Sequence, residues 1–190
     1  MKALLYCTKS KKKLFYDVVW RKWMYGFDKP HDKFPSVNGM IVASCEIKVE
    51  KIELNRHSYG EEYEYLFDTP TLSNDELLCE SGLREEELEN YLGEKGYALH
   101  ISNLELFEKP RLLNYFFKGN LGSENSLVEV TKAPQNMMYV YTSFELPEIL
   151  ETKYVLISIR PQWLCKILNG DKTIEVRRKV LKEMTGEWKD

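Results

Sequence analysis

The stretch YVLISIRPQWLCKILNGDKTIEVRRK, Tyr154 to Lys179, decides how the chain is read. Its apolar run from Tyr154 to Ile159 shows no alternation, as expected of a strand buried on both faces. Pro161 then opens a short helix, where a fixed φ and a missing N–H do no harm. On that helix Trp163 with Ile167 and Leu164 with Leu168 stand four residues apart, so both pairs lie on nearly one face. Asn169 and Gly170 supply the left-handed stop that ends helices. Lys172 to Arg177 returns as a second strand, with Ile174 and Val176 on one side and Thr173, Glu175 and Arg177 on the other. A glutamate and an arginine on one strand face, between buried elements, form either an internal ion pair or a site.

The run Gly170-Asp171-Lys172-Thr173-Ile174-Glu175-Val176-Arg177 matches the pattern G-x-K-x-x-E-x-R. With Ser158-Ile159-Arg160-Pro161 and Trp163 before it, the stretch resembles the opening of an ASCH domain of the bacterial and prophage type. The resemblance implies an α+β fold: a small mixed β-barrel of the PUA-like superfamily with flanking helices. It also implies a ligand cleft beside the motif, since members of the superfamily bind RNA, modified bases or nucleotides and some are hydrolases. Three further segments are similar to elements of that family: Asn38-Gly39-Met40-Ile41-Val42-Ala43, Ala98-Leu99-His100-Ile101-Ser102, and Ala133-Pro134-Gln135. Their order is shifted. A segment like Tyr6-Cys7-Thr8-Lys9 follows the motif strand in relatives, whereas here it opens the chain. The expectation is a circular permutation within a single domain over 1–190, which is tolerated where chain ends lie close together. Its parts are a body at 1–142, a junction at 143–153, the strand–helix–strand at 154–179 and a tail at 180–190. The alternatives are a tandem repeat cut at both ends and a barrel completed by a second copy through swapping.

Composition agrees with a globular protein. At 190 residues the chain suits one good core and is short for two ordinary domains. No apolar run approaches the roughly 20 residues needed to span a membrane, and the first residues lack a signal-peptide cleavage site. Cys7, Cys45, Cys79 and Cys165 are far apart with no ligand spacing, which fits reduced thiols in a cytoplasmic protein. No metal and no cofactor are expected. Charge is uneven: the first 22 residues hold Lys2, Lys9, Lys11, Lys12, Lys13, Arg21 and Lys22 against Asp17, while acids concentrate from Glu61 to Glu94. If the ends meet, they make one basic face, though lysines also decorate surfaces everywhere.

Taken in order, Lys2 to Thr8 reads as a buried strand. Lys9 to Ser36 interleaves lysines with Phe15, Trp20, Trp23 and Phe27, which suits either binding of a nucleic-acid strand or the core residues of a short helix or covering loop. Met40 to Leu54 alternates as a strand whose pattern slips at Lys51, where a bulge is expected. Asn55 to Pro70 reads as a polar surface loop. Ser73 and Glu76 form a capping box for a short helix ended by Gly82, and Leu83 to Leu92 is a second, acidic helix. Tyr97 to Leu104 is a strand, Lys109-Pro110 opens a helix to Phe117, and Leu127 to Thr131 and Met137 to Tyr141 are strands.

Lys172 offers a positive charge for a phosphate or a polarised carbonyl. Glu175 accepts hydrogen bonds from a base edge, and Arg177 either clamps Glu175 or binds an anion in bidentate fashion. In the structural alternative, Glu175 with Arg177 or Lys172 braces the motif turn. The ligand-binding set is completed by Arg160 and Trp163, by Tyr6 and Lys9, and by His100 and Ser102. One ASCH branch is similar to amidohydrolases acting on N4-acetylcytidine. If the chain were such an enzyme, Lys172 and Glu175 would be catalytic, although Glu175 stands where that branch has threonine. The expected partner is RNA, a nucleotide or a nucleoside, with binding favoured over hydrolysis. A protein partner on the acidic helices is the third reading.

Overall fold

The computed structural model describes residues 1–9, 39–60, 62–119, 127–142 and 153–186. The aromatic and basic segment after Lys9 and the junction after Thr142 lie outside these residues. The chain divides into two compact units. One comprises Met1–Glu46 with Asn103–Asn169, and the other Ile47–Ser102 with Gly170–Asp190.

Among the described residues the architecture is mixed α and β, a mostly antiparallel sheet with three helices. Its strands are β1 (Lys2–Cys7), β2 (Ile41–Tyr59), β3 (Glu62–Asp68), β4 (Lys95–Arg111), β5 (Phe116–Lys118), β6 (Val128–Glu129), β7 (Met137–Thr142), β8 (Lys153–Ile159) and β9 (Ile174–Arg177). They follow the hydrogen-bonded order β6-β5-β7-β8-β1-β2-β4-β9, with β3 on β2. An order with two ends is an open sheet. The expected barrel closure is not formed by the described strands.

In the first unit, β1 lies between β2 and β8. It is antiparallel to β2, with Ala3 opposite Cys45, and parallel to β8, with Ala3 opposite Val155. This explains its unbroken apolar run: a strand with neighbours on both edges and cover on both faces has no place for a polar side chain. Leu4, Tyr6, Ile41, Phe116, Val130, Val140 and Leu156 form the core there. Helix α3 (Pro161–Asn169) starts as its proline predicts, with the Arg160 carbonyl accepting from the Trp163 and Leu164 amides at 3.0 Å each. Its Leu164, Ile167 and Leu168 are buried.

In the second unit, β2 runs on to Tyr59 and returns as β3, with Leu54 opposite Phe67 and Tyr59 opposite Glu62. The expected loop over 55–70 is therefore a hairpin. Its Tyr65 and Phe67 alternate as strand residues do, but the nearby acids Glu62, Glu64 and Asp68 disguise them. Helix α1 (Asn74–Ser81) has the predicted capping box on Ser73 and Gly82 in the left-handed conformation at φ 62°. Helix α2 (Glu85–Leu92) follows. Ile52, Phe67, Leu77, Leu88, Leu92, Ala98, Ile174 and Val176 form this unit's core. At about 1.5–3 kcal/mol for each fully buried large side chain, that cluster outweighs the weak intrinsic helicity of two eight-residue helices.

Two further expectations change. Strand β4 is longer than the predicted segment from Tyr97 to Leu104, and it includes Lys109 and Pro110. No helix opens at that proline. A single 3-10 turn, Leu113–Tyr115, leads into β5, whose Phe116 and Phe117 pair with Thr142 and Tyr141. Aromatic residues with a strand partner outweigh the helix-start signal of a lone proline.

Candidate functional site

The motif residues come together in the second unit. Gly170 adopts φ 80°, ending the helix, and Lys172 sits on the turn before β9 becomes regular. The Lys172 ammonium donates to the Ser81 carbonyl at 2.7 Å and lies 3.4 Å from Glu175 Oε2. That carbonyl belongs to the last turn of α1, the negative end of the helix dipole. Glu175 Oε1 is 2.9 Å from Arg177 Nη2. Thr173 adds two bonds to Glu80, its amide to the carbonyl at 3.0 Å and its hydroxyl to Oε2 at 2.9 Å. Lys172, Glu175 and Arg177 are only 3%, 8% and 9% exposed. A buried triad of this kind spends much of its Coulomb attraction on desolvation, yet removing one member strands the others. Its geometry is that of a brace between α1 and β9, in which each charge already has an internal partner.

A second polar cluster lies on the opposite face of β4, where His100 is opposite Ile174 in the core row. Glu50, with its side chain 7% exposed, accepts from Lys48 Nζ at 2.7 Å, Thr71 Oγ1 at 2.6 Å and Thr69 Oγ1 at 3.0 Å. His100 Nε2 is 3.3 Å away. Burial pushes the Glu50 carboxyl up, but the bonds from Lys48, Thr71 and Thr69, with His100 beside them, outweigh burial and hold it at about 2. Sequence reading passed over Glu50. The signal was the slip in alternation near Lys51: the buried row runs through Cys45 and Ile47, then through Glu50 and Ile52. Ser102, two residues beyond His100, is exposed.

The third feature is an open groove of about 490 Å³ immediately beyond the motif strand. Four exposed cations line it, Lys51, Lys95, Arg178 and Lys179, together with Glu53 and the half-buried Tyr97. Arg178 is held in place: Nε donates to the Tyr91 carbonyl and Nη2 to the Asn90 carbonyl at 3.1 Å, and the guanidinium lies 5.3 Å from the Tyr91 ring centre. Gly96 forms part of the wall because a Cβ there would stand 2.9 Å from the Arg177 carbonyl oxygen. Lys51 and Lys95 flank an acidic region in sequence, so only the strand arrangement reveals them beside Arg178 and Lys179.

The other expected site residues belong to the first unit. Tyr6 is 4% exposed in the core, and burial raises its pKa, so it is no open stacking surface. Lys9 packs against Gly39, where an added Cβ would meet its Cε at 2.9 Å. Arg160 is exposed. Trp163 is half-buried with the Lys166 ammonium 5.0 Å from its ring centre. The four cysteines are free; burial pushes Cys7 and Cys45 up to about 12, so both are inert thiols. None of the described helices is long and apolar enough to cross a membrane. Comparison with known proteins yields no match, whether to family models, curated proteins or solved structures.

Proposed function

We propose that this chain is an ASCH-type, PUA-like binding module that holds RNA or a nucleotide in the groove beyond its motif strand. One observation carries the reading: four exposed cations and a tyrosine ring surround an open space of about 490 Å³. That volume suits a nucleotide-sized ligand. Cations meet phosphates while a ring offers a face to a base. In this reading the G-x-K-x-x-E-x-R residues serve the ligand indirectly. Lys172, Glu175 and Arg177 fix β9 against α1, and the next two residues, Arg178 and Lys179, enter the groove. Hydrolysis of an acylated base is the poorer reading, because the Lys172 ammonium is buried on Ser81 and Glu175.

The test is fluorescence anisotropy with short labelled single-stranded RNA across a salt series. Contacts to four phosphates give a slope of log K against log salt of about −3. Lys51→Ala with Lys95→Ala should make that slope shallower by about 1 to 1.5 while leaving the melting temperature unchanged. Absence of binding at low salt would refute the reading.

A further inference from the structure

Glu53 is the one acidic side chain in the groove, set among four cations. The other carboxylates of the unit's polar clusters are committed. Glu50 is taken by Lys48, Thr69 and Thr71, and Glu175 by Lys172 and Arg177. Asp68, opposite Glu53 in the β2–β3 register, accepts from Asn55 at 2.6 Å and lies 3.0 Å from His57. Glu53 itself is exposed and has no hydrogen-bond or ion-pair partner among the described residues. A groove that gripped phosphate alone would bind more weakly for holding a carboxylate, because like charges repel. An unengaged carboxylate suits a ligand that carries hydrogen-bond donors as well as phosphates.

Position narrows the donor. Lys51 and Glu53 are two residues apart on one strand face, about 7 Å along β2. A cation and an acceptor at that interval match a backbone that presents phosphate and hydroxyl side by side. Ribose does so through its 2′-hydroxyl, and deoxyribose does not. We propose that Glu53 makes the groove selective for ribose-containing strands, accepting a hydrogen bond from a 2′-hydroxyl while the neighbouring lysines hold phosphates. The inference rests on the RNA-binding reading above.

Three labelled octamers of one sequence test it with the full chain at low salt: RNA, DNA and 2′-O-methyl RNA. The expected preference for RNA over DNA is about tenfold, the discrimination that one charge-assisted hydrogen bond supports. The 2′-O-methyl strand, which keeps a ribose-like backbone but has lost the donor, should bind as DNA does. Glu53→Ala should abolish the preference by weakening RNA, with DNA binding unchanged or tighter. Glu53→Gln keeps a neutral acceptor and should retain part of it. Equal binding of RNA and DNA by the unmodified chain would overturn the inference. So would Glu53→Ala strengthening both strands alike, since the carboxylate would then act by repulsion only. Either result leaves the binding module standing, whereas failure of all three strands to bind overturns the module itself. Because Glu53 is exposed, its variants should melt with the unmodified protein.

Discussion

Replacing Glu50 by glutamine keeps the side chain's shape and removes its charge from a cluster of donors. In the fold the carboxyl titrates at about 2 rather than at its ordinary 4.5. A carboxyl that is more acidic in the folded than in the unfolded chain stabilises the fold when ionised. That stabilisation is complete above about pH 4.5 and drains away as pH falls toward 2. A shift from 4.5 to about 2 sets a ceiling of roughly 3 kcal/mol, at about 1.4 kcal/mol for each pH unit. Lys48, whose side chain is 71% exposed, is screened by water, so the expected loss is nearer 1–2 kcal/mol. Urea denaturation of the original chain and of Glu50→Gln at pH 7, 5, 4 and 3 measures it. The original chain should be the more stable at pH 7 and 5, and the gap should narrow steadily below pH 4.5. A gap that stays the same from pH 7 to 3 would refute the charge argument and leave only packing as its source.

Two further substitutions probe the groove's supports. Lys172→Met leaves the Ser81 carbonyl and one oxygen of Glu175 without their buried cation; it should cost roughly 3 kcal/mol in urea denaturation, and a cost below about 1 kcal/mol would remove the brace. Gly96→Ala forces a methyl against Leu92 and the Arg177 carbonyl and should cost about 1–3 kcal/mol, whereas an unchanged melting temperature would show that this wall yields freely.

The parts of the fold legible in sequence were those where one signal acted alone. Tyr154 to Ile159, Pro161, the Asn169-Gly170 stop and the Ser73–Glu76 box each name their structure locally, and each is found. The readings that failed had two signals in competition. At Pro110 a helix-start proline stood before aromatic residues that had strand partners more than twenty residues away. From Asn55 to Asp68 acidic composition hid an aromatic alternation, and the pairing that decides it is visible only when both halves of the hairpin are aligned. The site followed the same rule. Lys172, Glu175 and Arg177 lie within six residues and are readily grouped, but the carbonyl that anchors Lys172 comes from α1, which lies far from them in sequence. Lys51, Lys95 and Lys179 come from three separate stretches, and nothing local links them.

The parallel contact of β1 with β8 also bears on how the chain is made. Residues Ala3 to Cys7 leave the ribosome about 150 residues ahead of their partners Val155 to Ile159. Loop closure over such a span is slow, and an apolar strand edge left waiting is prone to pair with the wrong neighbour. During synthesis β1 has only β2 to hold, on one edge. Its other edge is exposed for many seconds at ordinary elongation rates, since chains grow at about 5–20 residues per second. Yield of folded protein should therefore respond to translation speed and to chaperone supply more strongly than the stability of the finished sheet would suggest.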